Sequence, residues 1–148
     1  MKKILMSSAF AAVLFVSSFA SSVMAADRPY TEGPVAVISS IRTEPGMFDE
    51  YLKWLDGPWK QAMDAQKAAG IIVDYAVYSA TPRSPSEPDL YLVTTFKNMA
   101  ALDGLDEKTD AIYEKVMGSM DQQNAATVAR GKMRTVLGDE ISRELKLK

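Results

Sequence analysis

The sequence predicts an α+β domain ordered strand, helix, strand, strand, helix, strand. Three observations predict it. β-branched and aromatic runs at 35–42, 71–79 and 90–96 have strand character. An apolar stripe at helical spacing runs from Phe48 to Gln66. The last eight residues, "ISRELKLK", alternate apolar and charged positions as a one-sided strand does. This order is the split βαβ arrangement of a ferredoxin-like fold, a four-stranded antiparallel sheet with two helices on one face.

The chain opens with Lys2 and Lys3, a short apolar run from Ile4 to Val16, and Val23-Met24-Ala25 before Ala26. A basic head, an apolar middle and small residues at minus three and minus one form a secretory signal peptide. The run falls short of the roughly 20 apolar residues that a membrane span needs. Residues 1–25 are therefore expected to be removed, and no span is expected in the mature chain. Residues 26–34, "ADRPYTEGP", are polar with two prolines and read as a flexible lead. A single domain over 35–148 follows.

"VAVISSIR" (35–42) is the first expected strand and "TEPG" (43–46) a turn. "YLKWLDGPWK" (51–60) then places two tryptophans around a Gly-Pro pair. Phe48, Leu52, Leu55, Trp59, Ala62 or Met63, and Gln66 keep helical phase straight through Gly57-Pro58. Two elements joined by a turn would have no reason to hold that register. Pro58 lacks an amide donor and crowds the carbonyl of Trp54, so one kinked helix is expected over about 47–69, closed by Gly70. Trp59 falls in the buried stripe. Trp54 lies off it, either covered on its flank or placed at a subunit or ligand contact.

The strands at 71–79 and 90–96 are separated by "ATPRSPSEPD", a long hairpin loop. Its Pro82, Pro85 and Pro88 stiffen a surface loop rather than form a polyproline ligand. Asn98 can cap a short helical turn, and a longer helix starts near Asp106 with Leu105, Ile112, Val116 and Met120 on one face. The acids Asp103, Asp106, Glu107 and Asp110 lack calcium-loop spacing and suit a solvated helix start. Residues 124–140 read as helix to about Arg130, then irregular chain. Arg130, Lys132 and Arg134 form a small basic patch there, read as a helix-end feature rather than an anion site.

Composition limits the chemistry. There is no cysteine, so the core holds the fold without disulfides. There is no histidine, so the commonest general base and the commonest metal ligand are missing. No cofactor and no metal are expected, and no catalytic residue can be named. Without Lys2 and Lys3 the 17 basic residues fall to 15 against 19 acidic ones, a poor balance for binding nucleic acid.

If Val73, Tyr75 and Val77 face the helices, then Asp74, Ala76 and Tyr78 face the other side of the sheet. On the partner strand Leu92, Thr94 and Phe96 would face the helices, leaving Tyr91, Val93 and Thr95 opposite. So much apolar surface is costly when bare, and a second copy of the chain is its simplest cover. Arg42, Trp54, Asp74, Tyr78, Tyr91 and Thr95 are the candidate ligand-binding residues. In this reading Asp74, Tyr78, Tyr91 and Arg42 share a polar pocket in which Arg42 or a lysine of the last strand pairs with Asp74. The same residues could instead form a polar seam that sets the dimer register.

"RTEPGMFDEYLKWL", "AAGIIVDYAVYS" and "DLYLVTTFKNMAALD" together resemble the dimeric α/β-barrel superfamily over most of residues 35–103. That superfamily includes antibiotic-biosynthesis-type monooxygenases and EthD-like and NIPSNAP-like proteins. The chain looks closest to its uncharacterised exported branch. The resemblance implies a homodimer in which two sheets pack face to face, with ligands between sheet and helices or inside the barrel. The histidines of the haem-degrading and peroxidase-like branches are absent. The Asn–Trp–Arg set of the cofactor-free monooxygenases has counterparts in type only, in Asn98, Trp54 or Trp59, and Arg42. Function is thus expected to be an exported, periplasmic or secreted, small-molecule-binding or interaction protein. The alternative is a cofactor-independent monooxygenase or isomerase for an aromatic or lactone-like substrate.

Overall fold

The computed structural model describes residues 27–148. The expected signal peptide lies outside the described residues. Strand β1 (Tyr30–Thr43) leads into helix α1 (Phe48–Trp54), a π-helical turn (Leu55–Trp59) and helix α2 (Lys60–Ala68). Strands β2 (Asp74–Ser79) and β3 (Leu90–Phe96) follow, then a 3-10 turn (Met99–Leu102). Helices α3 (Leu105–Met117) and α4 (Met120–Gly131) and strand β4 (Arg134–Leu147) complete the chain. The sheet order is β2-β3-β1-β4 and every pairing is antiparallel. This is the ferredoxin-like topology that the sequence predicts.

β2 begins at Asp74, three residues after its expected start, and three further boundaries differ, each for a physical reason. The lead over 26–34 is not free along its length: Tyr30, Thr31 and Glu32 pair with Leu147, Lys146 and Leu145. Gly33 and Pro34 are absorbed by a bulge between Glu32 and Val35. Pro34 has no N–H for the ladder, and a Cβ on Gly33 would lie 2.9 Å from that of Glu144. β4 begins at Arg134, seven residues before the expected final strand. Its polar stretch Gly138-Asp139-Glu140 gives no periodic signal, yet β1 offers it a full ladder. Met120 is not on the face of α3, because Gly118 at φ +82° ends that helix and Ser119 caps the next. The reciprocal Ser119–Gln122 pair is a capping box.

The single kinked helix expected over 47–69 is two helices, α1 and α2, joined across a kink. Gly57 leaves helical geometry at φ −93° and ψ −111°, and Pro58 sits within the π turn. The bend divides the core in two. On one side Tyr51 and Leu55 pack with Ile41 and Leu90. On the other Ala62 and Met63 pack with Ile72 and Phe96. Trp59 touches both groups and meets Tyr75 edge to face at 5.3 Å. It is half-buried where the stripe placed it in the core. Tyr51, which that stripe omits, is fully buried. Bending lets a single apolar stripe follow a twisted sheet. Gly70, at φ +71°, closes α2 as expected.

The sheet faces follow alternation within β2 and β3, but Val73, expected toward the helices, precedes β2 and is exposed, while Ile72 enters the core. Leu92 and Phe96 reach the two cores, Thr94 touches Met63, and Tyr75 packs on Trp59. The opposite face therefore carries Ala36, Ile38, Ser40 and Arg42 on β1, with their neighbours on β2, β3 and β4. Its central rung is Ile38–Val93–Ala76, apolar across three strands. No helix covers it.

Candidate functional site

Register decides whether the six expected site residues can share a pocket. Asp74 pairs with Thr95, which pairs with Ala36; Tyr78 pairs with Tyr91, which pairs with Ser40. The two rungs are four residues apart, about 13 Å, and Arg42 lies about 20 Å along β1 from the Asp74 rung. The apolar rung separates them. The single pocket expected for Asp74, Tyr78, Tyr91 and Arg42 is thus corrected: within one chain they form two separate polar ends. Asp74 pairs with neither Arg42 nor a β4 lysine. It is exposed and accepts from Lys67 Nζ at 2.8 Å, and that hydrogen bond holds its carboxyl below the usual value. Arg42 instead donates to the Pro85 carbonyl at 2.6 Å, pinning the proline-rich loop to β1. Asp89 anchors the end of that loop by accepting from the Thr43 amide at 3.0 Å.

Trp54 lies on the helix side, packed against the Ile41–Tyr51–Leu55–Leu90 cluster. It ends α1, three residues after Tyr51, so the two rings share a face. They are parallel within 1° at 6.0 Å between centroids. Two arginines sit on this aromatic pair. Arg130, in the last turn of α4, lies 4.6 Å from the Trp54 ring centre, and Arg134, the first residue of β4, lies 5.6 Å from that of Tyr51. Beside them is a cleft of about 220 Å³ between Trp54, Tyr113 and Met117 of α3, and Gln123, Thr127 and Arg130 of α4. Buried Gln66 donates to the Tyr113 hydroxyl at 3.2 Å and fixes that wall.

The electrostatics of this cleft are unusual. Nε of Arg130 and Nε of Arg134 are both buried with no hydrogen-bond partner. Burial pushes the Arg130 guanidinium below its ordinary value, and the charge of Arg134 adds to the effect. Burial likewise raises the Tyr51 phenol, against the pull of Arg134 and Arg130. Sequence reasoning singled out Trp54 but read the two arginines as a helix end. A usable signal was present: no acid occurs between Asp121 and Asp139, so the basic residues there have no local partner. Among the described residues no three potential metal-ligating side chains come together.

No family model and no curated protein matches the chain. Solved structures similar to it include HapK from Hahella chejuensis, 16% identical over 74% of this chain and 91% of that one, with a TM-score of 0.44. A dimeric ferredoxin-like protein from an uncultured marine organism is 12% identical over 80% and 90%, with a TM-score of 0.48. A candidate antibiotic biosynthesis monooxygenase from Caulobacter crescentus is 20% identical over 80% and 94%, with a TM-score of 0.40. The ferredoxin-like fold itself rests on the chain's own strand order.

Proposed function

We propose that this is an exported homodimer that binds a small organic ligand in the cleft beside Trp54. The observation that carries the reading is a preformed cleft between α1, α3 and α4 in which a half-buried tryptophan meets polar and apolar side chains. Small-molecule sites combine aromatic surface with a few fixed polar groups in this way. Export is supported by the basic head, apolar middle and Val-Met-Ala of residues 1–25. The homodimer is supported by the uncovered apolar rung Ile38–Val93–Ala76, flanked by Tyr78, which is 57% exposed.

The alternative, a cofactor-independent monooxygenase or isomerase, would need a group to take a proton. The cleft is lined by no carboxylate, and the neighbouring Tyr51 phenol is raised rather than lowered. Binding is therefore the better supported reading. Native mass spectrometry of the mature protein from its own host tests it. The expected spectrum is a dimer carrying extra small-molecule mass, and Trp54→Ala should lose that mass while keeping the dimer. A ligand-free wild-type dimer, or a ligand retained equally by Trp54→Ala, would overturn the reading.

A further inference from the structure

We infer that the ligand is a small organic carboxylate, gripped by the in-plane N–H edge of Arg130 with Arg134 as the second positive charge. This rests on the cleft being the binding site.

Charge balance points there first. Among the described residues, ion pairs engage eight of the basic side chains but not Arg42, Lys97, Lys108, Lys115, Arg130, Lys132 or Arg134, and of these only Arg130 and Arg134 lie on the aromatic pair Trp54–Tyr51. The charge of Arg134 disfavours that of Arg130, on top of burial. Two half-buried like charges with no counter-ion are an arrangement that folding alone would not select. A bound anion resolves it.

The hydrogen-bond inventory points the same way. Buried N–H groups without partners are rare in folded proteins, and among the described residues the orphaned side-chain atoms are Nε of Arg130 and Nε of Arg134. Arg130 lies over the Trp54 ring. The guanidinium carbon is 4.6 Å from the ring centre, and the spacing of a guanidinium N–H fork suits the two oxygens of a carboxylate. The remainder of the cleft sets the body of the ligand. Met117, Ala126 and the Tyr113 ring offer apolar surface, while Thr127 and Gln123 offer polar groups. Its 220 Å³ is below the roughly 300–1,000 Å³ of drug-sized pockets, so the ligand is of about single-ring size.

The test uses the mature wild-type protein and three probes at fixed ionic strength: benzoate, its neutral analogue benzamide, and inorganic phosphate. Calorimetry should show benzoate binding roughly tenfold or more tightly than benzamide, since only benzoate makes charge-assisted bonds. Added sodium chloride should weaken benzoate binding. Both Arg130→Met and Arg130→Lys should lose roughly tenfold in benzoate affinity, because a lysine lacks the planar fork. Benzamide equal to benzoate would sink the carboxylate inference yet leave the cleft as a binding site. Phosphate tighter than benzoate would also sink it, as would benzoate binding that Arg130→Met leaves unchanged. Failure of all three probes to bind would overturn it as well, while the host-ligand spectrum judges the cleft separately. Should the variants fail to fold, wild-type NMR decides: benzoate must shift the Arg130 Nε–H resonance, and an unmoved resonance refutes the grip.

Discussion

Replacing Tyr51 should show how far this protein's stability depends on the aromatic layer beneath the two arginines. The side chain is fully buried, lies parallel to Trp54 and carries Arg134 over its ring. Tyr51→Ala removes the whole ring from a core that includes Ile41, Leu55 and Leu90. Large aromatic-to-alanine changes in cores cost about 3–5 kcal/mol. Against a total stability of about 5–15 kcal/mol for a domain, that is a large share. Tyr51→Leu refills most of the volume but forfeits the ring stack, worth about 0.5–1.5 kcal/mol, and a cation–π contact of similar size. Its expected cost is therefore about 1–3 kcal/mol, clearly below that of alanine. Urea unfolding followed by tryptophan emission reads both, because Trp54 reports on the site directly. Protein concentration must be held constant, since dimer formation would add its own stabilisation. A Tyr51→Ala cost below about 1 kcal/mol, the range of surface substitutions, would refute the burial argument. Equal costs for leucine and alanine would show that the ring interactions, not the filled volume, carry the energy.

Three further outcomes are expected. Ile38→Glu, on the apolar rung of the uncovered face, should convert a dimer into a folded monomer in sedimentation at micromolar concentration; an unchanged dimer would place the interface elsewhere. Asp64 is held below its usual range by hydrogen bonds from Lys60 and then Tyr75, and Asp74 by its hydrogen bond from Lys67. Lowered carboxyl values stabilise the fold above the unfolded value of 3.8 and lose that stabilisation as pH falls through the lower folded value. Asp64→Asn with Asp74→Asn should thus flatten the fall of the urea midpoint in acid, and an equally steep fall would show that these pairs contribute nothing. N-terminal sequencing of the protein recovered from its host should begin at Ala26, within one residue, and an intact Lys2-Lys3 terminus would exclude cleavage.

The sequence by itself determined the order of elements and the facing of the strands. Period-two runs fix which side of a sheet a residue takes, so Thr94 and Phe96 fell on the helix side as expected. The phase of the stripe through Gly57-Pro58 likewise pointed to a kinked helical run, which non-helical Gly57 divides into α1 and α2. Where periodicity was weak, local reading failed. β4 begins early because hydrogen bonding to a long neighbour compensates for its polar middle. Trp54 was legible as an odd residue, but its role was not. Only the tertiary structure brings α4 and β4 over α1, setting Arg130 and Arg134 on rings some eighty residues earlier in the chain. It also separated Asp74 from Arg42, since strand register, not residue type, sets distance along a sheet. Local sequence encodes the period and the caps; a site assembled from distant segments depends on packing, which no short window contains.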